Sequence, residues 1–132
     1  MQRLLVVDDN PNEGALLHSA LTLEGYEVSR ASDGVEALRM IERERPDVIV
    51  TDLIMPNLDG LSLCKAIRSK PGFEDAAIVA LTGGDYPEEL TGQCDVFLRK
   101  PVDIDRLVDT LQQLEASRLL NALPLAGHGL RW

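Results

Sequence analysis

The acidic pair Asp8-Asp9 directly follows the aliphatic run Leu4-Leu5-Val6-Val7. Two like charges at the exit of a buried strand raise the energy through repulsion and desolvation, unless a cation sits beside them. The plainer alternative is a pair solvated at a strand end. The same punctuation recurs along the chain: "DVIVTD" ends on Asp52, "AAIVALT" ends on Thr82 ahead of Gly83, and Asp95-Val96-Phe97-Leu98 leads to Lys100-Pro101. Three carboxylates, a hydroxyl and an ammonium each follow an apolar run. Brought together, such carboxylates attract a hard divalent cation, and Mg²⁺ favours one or two carboxylates plus waters and substrate oxygens. A carboxylate can also act as a nucleophile and accept a phosphoryl group. An ammonium and a metal would then balance the charge on the transferring oxygens. Thr82 offers its hydroxyl to a phosphate oxygen, and Gly83 lets the group pass close to the backbone.

What brings these residues together is an alternation of apolar runs and helical patterns. Leu4–Val7 is a strand buried on both faces. Pro11 suits a first helical turn; Leu17, Ala20 and Leu21 follow at helical spacing, Leu16 and Leu23 widen the stripe, and Gly25 ends it. Tyr26-Glu27-Val28 is a short second strand. "SDGVEALRMIERER" is a helix with Val35, Leu38 and Ile41 inward, stopped before Pro46. "DVIVTD" is the third strand, and Leu61, Cys64 and Ile67 mark a helix that ends at Pro71-Gly72. "AAIVALT" and Asp95–Leu98 are strands four and five, and Ile104, Leu107, Val108, Leu111 and Leu114 lie on a last helix. This pattern predicts a doubly wound α/β fold with right-handed crossovers. "GGDYPEELTGQC" leaves room for about two helical turns, from near Pro87 to Gly92. In such a sheet, ligands gather beyond the carboxyl ends of the strands. With strand order 2-1-3-4-5 the polar exits share one rim.

The bulk properties narrow the function class. A chain of 132 residues is one domain, with no apolar stretch near the roughly 18 residues of a membrane span and no visible signal peptide. The formal charge of −9 disfavours non-specific grip on nucleic acid or anionic lipid. Cys64 and Cys94 share no metal motif and read as small buried thiols; a disulfide between them is feasible but has no support in the sequence. His18 and His128 have no second ligand at metal spacing and read as exposed. A cytoplasmic protein is expected.

The segments "VVDDN", "VTDLIMPNLDG", "ALTGG" and "RKPV" resemble the signature segments of receiver domains of two-component response regulators. The resemblance covers roughly residues 2 to 117 and implies the flavodoxin-like (CheY-like) fold, with five parallel strands in the order 2-1-3-4-5. Residues 1–120 are then the receiver domain, and 121–132, with Pro and Gly enough to end the last helix, are a loose tail. It implies that Asp52 is the phosphoacceptor, taking its group from a phosphohistidine on a sensor kinase or phosphotransfer protein. Asp9 and Asp52 would bind Mg²⁺ directly together with the backbone carbonyl of Ile54, and Asp8 would act largely through water. Thr82 and Lys100 would contact the phosphoryl group, Phe97 would turn inward as Thr82 moves, and Lys100-Pro101 would be cis.

The resemblance also implies self-catalysed phosphorylation that switches binding to a downstream protein, without direct nucleic-acid binding or membrane insertion. A phosphorelay intermediate, a receiver excised from a hybrid kinase and a phosphorylation-independent binding module are the rivals. A small-phosphate hydrolase would need a second acid or base and a substrate cap, and the sequence supplies neither. Phe97 has the plainer reading of an inward strand residue, and Asp8, Asp9 or Asn10 that of helix caps. The segment from Thr82 to Lys100 is several residues shorter than in the family, which predicts a shortened fourth helix and argues against the usual dimer. By the resemblance, Ile54 and Gly84 occupy positions that in relatives tune hydrolysis of the aspartyl phosphate, and the aliphatic Ile54 predicts slow self-dephosphorylation.

Overall fold

A computed structural model describes residues 2–53, 60–84 and 93–122, the last five by backbone alone. The described elements are β1 (Arg3–Val7), α1 (Pro11–Leu23), β2 (Glu27–Ala31), α2 (Gly34–Glu44), β3 (Val48–Asp52), α3 (Gly60–Ser69), β4 (Ala77–Thr82), β5 (Val96–Arg99) and α4 (Ile104–Ala122). The strands form one sheet in the order β2-β1-β3-β4-β5. Every neighbouring pair is parallel.

Side-chain alternation along the strands divides the core in two. Leu5, Ile49 and Ile78 stand in register on one face and pack with Ala37 and Ile41 of α2 and Leu63, Cys64 and Ile67 of α3. Val6, Val50 and Val79 stand in register on the other and pack with Leu17 and Leu21 of α1 and Leu107 and Leu111 of α4. β3 and β4 are buried along their whole length, which is why they read as unbroken apolar runs. Each fully buried aliphatic side chain contributes about 1.5–3 kcal/mol of transfer free energy.

Local chemistry sets the helix ends. Asn10 caps α1, its side chain accepting hydrogen bonds from the Asn12 and Glu13 amides at 2.9 and 3.2 Å, with Pro11 in the first turn. Asp33 caps α2 by accepting from the Glu36 amide at 2.8 Å, while the Glu36 carboxylate accepts from the Ser32 amide at 2.7 Å. Gly25, at φ 100°, turns the chain from α1 toward β2.

Several side chains differ from the sequence reading. Leu16 and Leu23 are exposed, at 62% and 89%, because Gly14, Leu17 and Leu21 alone form the inner face of α1. Val35 is also exposed; Ala37 and Ile41 fill the inner face of α2, with Leu38 partly buried beside them. Strand β2 runs to Ala31 rather than stopping at Val28, because parallel pairing with β1 continues from Arg3 opposite Glu27 to Val7 opposite Ala31. His18 is half-buried rather than exposed. The short helix expected near Pro87–Gly92, His128 and the tail beyond Ala122 lie outside the described residues.

Candidate functional site

The rim at the carboxyl ends of β1, β3, β4 and β5 gathers the polar residues that end their runs. Asp52, the last residue of β3, is 5% exposed, and Asp8, just past β1, is 4% exposed. The Asp8 amide donates to the Ala31 carbonyl at 3.1 Å, continuing the pairing with β2 by one residue. Gly60, at the start of α3, comes so close to the end of β3 that an added Cβ would lie 2.6 Å from Leu53 Cα and 2.7 Å from the Asp52 carbonyl oxygen. A side chain there would push Asp52 out of register. The Lys100 amide donates to the Thr82 carbonyl at 2.7 Å, and the Lys100-Pro101 bond is cis.

Lys100 crosses the rim. Its Nζ lies 2.5 Å from Asp52 Oδ1 and 3.0 Å from Glu13 Oε1. Carboxylate oxygens of Asp8, Glu13 and Asp52 all lie within 4.8 Å of one another. Asp8 accepts from the Asn10 amide at 2.8 Å through Oδ1, whereas its Oδ2 is buried with no hydrogen-bond partner. A buried carboxylate oxygen without a donor, facing two further carboxylates, suits a hard divalent cation. The donor set therefore fits Mg²⁺.

Crowding and burial perturb the ionisations. Burial pushes the Asp52 carboxyl up to about 6; the hydrogen bond from Lys100 opposes this and the Asp8 charge adds to it. Burial likewise raises Asp8, against the hydrogen bond from the Asn10 backbone. For Lys100, burial favours the neutral amine, but hydrogen bonds to Asp52 and Glu13 outweigh it and leave the ammonium more basic than usual.

Of the residues singled out in sequence, Asp8, Asp52 and Lys100 converge directly. Asp9 is exposed; it borders a cleft of about 260 Å³ with Asp8, Arg30, Ser32 and Glu36. Thr82 is buried at the rim, its hydroxyl donating to the Gly84 carbonyl at 3.0 Å and accepting from the Gly84 amide at 3.2 Å. Phe97, opposite Ala80 in the ladder, is half-buried and lines a cleft of about 500 Å³ with Thr82, Lys100 and Arg106. Ile54 lies outside the described residues.

Glu13 was not among the sequence candidates. Its signal was present: the Asn10-Pro11-Asn12-Glu13 spacing places an acid at the third position of a capped helix, a pattern that normally serves the helix itself. Here the side chain reaches Lys100 instead.

The response regulator receiver domain model matches residues 4–112, a span containing every described rim residue. The chain belongs to that family. Receiver domains with solved structures share its fold: the chemotaxis protein CheY4 of Vibrio cholerae matches with a TM-score of 0.82 at 34% identity, over 86% of this chain and 98% of CheY4. The receiver domain of the sensor histidine kinase PA1611 of Pseudomonas aeruginosa, solved with a magnesium ion coordinated in its active-site cleft, matches with a TM-score of 0.79 at 32% identity, over 86% of this chain and 96% of that one. Among curated relatives, the response regulator MprA of Mycobacterium leprae is 40% identical over 116 residues, which are 85% of this chain and 50% of MprA. The chain thus spans about half the length of the curated relatives it matches. Among the described residues of this receiver domain, no helix is long and apolar enough to cross a membrane.

Proposed function

We propose that this receiver domain accepts a phosphoryl group on Asp52 and acts as a phosphorylation-dependent switch. The observation that carries the reading is the Lys100 ammonium 2.5 Å from a buried carboxylate that two further carboxylates crowd. An Asp52 oxygen attacks phosphorus, the new O–P bond forms as the N–P bond of a donor phosphohistidine breaks, and the imidazole leaves with a proton. Asp8, Asp9, Asp52 and the Ile54 carbonyl are the proposed holders of Mg²⁺, and Glu13 lies close enough to join them. Bound there, Mg²⁺ would neutralise the crowded carboxylates and the oxygens of the transferring group. Lys100 neutralises part of the same charge.

Thr82 supplies a hydroxyl once it gives up its turn with Gly84. Because the phosphoryl group binds the displaced Thr82 better than the resting one, phosphorylation shifts the population of the rim and of Phe97 beside it. The implied donor is a histidine kinase or phosphotransfer protein, and the recipient a protein partner in the cytoplasm. The net charge of −9 supports a protein rather than a nucleic acid as the direct contact of this domain. A receiver within a phosphorelay is the second reading, favoured by the match to the PA1611 receiver, which belongs to a sensor histidine kinase. Incubation with phosphorylated kinase separates the two: a terminal switch retains the label, and a relay intermediate passes it to an added histidine phosphotransfer protein.

A further inference from the structure

Away from the rim, the core between α3 and the start of β5 holds a close pair of thiols. Cys64 Sγ of α3 and Cys94 Sγ lie 3.8 Å apart; Cys64 is fully buried and Cys94 is 9% exposed. Both belong to the core cluster of the Leu5 face, and both are free thiols. The residues flanking Cys94 are held by a single side chain from the helix that carries Cys64. Arg68, one turn beyond Cys64 on α3, donates to the Gln93 carbonyl at 3.1 Å and to Asp95 Oδ2 at 3.2 Å, the residues on either side of Cys94. The same guanidinium donates to the Glu74 carbonyl at 3.1 Å and to the Ala76 carbonyl. Asp95 in turn is fixed to β4, accepting from the Ile78 amide at 2.7 Å and donating its own amide to the Ile78 carbonyl at 2.9 Å. The partners of an intramolecular bond are thus already positioned before any reaction.

We propose that Cys64 and Cys94 form an oxidisable dithiol site, closed to a disulfide by hydrogen peroxide. Cys94 Sγ attacks one peroxide oxygen; the S–O bond forms, the O–O bond breaks, and the thiol proton leaves in the first water. Cys64 Sγ then attacks Cys94 Sγ; the S–S bond forms, the S–O bond breaks, and the hydroxyl leaves with the Cys64 proton as a second water. Each sulfur gives up one electron, and the two peroxide oxygens accept them. The order follows from exposure and charge. Cys94 is the more accessible thiol, and its contact with the Cys64 thiol favours its thiolate against the cost of burial, aided by Arg68. Cys64 is pushed up by its contact with Cys94 and by burial, which suits the resolving role. The product ties the middle of α3 to the residue that leads into β5, three residues ahead of Phe97.

The test is intact-mass and peptide mapping of the full chain after hydrogen peroxide treatment, with thiols counted in denaturant before and after dithiothreitol. The expected result is a monomer lighter by two hydrogens, a Cys64–Cys94 cross-linked peptide, and loss of both thiols that dithiothreitol restores. The variants Cys64→Ser and Cys94→Ser should fold and lose the cross-link, and Cys64→Ser should instead carry one added oxygen or a sulfenic-acid probe at Cys94. Retention of both thiols in the wild type, or links formed only between chains, would overturn the proposal.

Discussion

Lys100 Nζ bridges two carboxylates, Asp52 Oδ1 at 2.5 Å and Glu13 Oε1 at 3.0 Å, so this ammonium is shared between the proposed phosphoacceptor and a residue from the first turn of α1. Among the described residues, one ammonium in contact with the cluster of buried Asp8 and Asp52 and half-buried Glu13 leaves that cluster with excess negative charge. That imbalance governs its metal binding, its pH dependence and its response to substitution.

Metal binding to the folded state adds stability by mass action, about 2.7 kcal/mol at a hundredfold excess over the dissociation constant. Millimolar Mg²⁺ should raise the melting temperature of the wild type. The rise should be smaller in Asp9→Ala, and also in Glu13→Gln, where one carboxylate of the cluster is neutral. Calorimetry of Mg²⁺ binding checks both reductions; equal affinities in wild type and Glu13→Gln would remove Glu13 from the metal's field.

The pH dependence has a definite sign. Asp52 is raised from 3.8 to about 6 in the folded chain, so the fold binds the proton more tightly than the unfolded chain does. Its contribution is fully present below pH about 4 and is lost as pH rises through about 6. Metal-free protein should therefore lose stability across this window, by at most roughly 3 kcal/mol from Asp52. Asp8 is raised in the same direction and acts with it. Urea melts at a series of pH values, with and without Mg²⁺, measure the effect; Asp52→Asn should flatten the curve, and Mg²⁺ should do so in the wild type.

Much of this was legible in the chain. The runs Leu4–Val7, Val48–Asp52 and Ala77–Thr82 are apolar because both faces of their strands are buried, so position and type could be read directly. Strand β2 was harder: at the sheet edge its Ser29 and Arg30 are partly solvated, and only pairing with β1 carries it to Ala31. The exposure of Leu16, Leu23 and Val35 was hidden for a related reason, since apolar residues beside a helix stripe read as part of it whether or not the sheet is wide enough to cover them. Asp8, Asp52 and Lys100 were visible as strand exits. Glu13 was not, because its local spacing marks only a helix-capping acid, and its contact with Lys100, past the end of β5, is a long-range relation that the spacing does not reveal.

Gly60 is the hinge of the site's packing. With a Cβ 2.6 Å from Leu53 Cα, Gly60→Ala forces α3 away from the end of β3. A loss of about 1–3 kcal/mol is expected in denaturant melts. Because the same Cβ presses on the Asp52 carbonyl, phosphoryl loading should slow as well; unchanged loading at reduced stability would show that Asp52 tolerates the shift.

Removing the ammonium should slow the chemistry more than it harms the fold. Lys100→Ala leaves Asp52 and Glu13 unneutralised, so loading by acetyl phosphate should fall by about 100-fold, as for loss of one oxyanion donor. Thr82→Ala should reduce loading less, because its hydroxyl must first leave the Gly84 turn. Stopped-flow loading rates at fixed Mg²⁺ compare the two.

Mass spectrometry of the chain incubated with acetyl phosphate and Mg²⁺ is the most direct measurement. Wild type should gain the mass of one phosphoryl group, mapped to the peptide bearing Asp52 and absent in Asp52→Ala. No added mass in the wild type, or an equal gain in Asp52→Ala, would contradict phosphoryl acceptance at this residue.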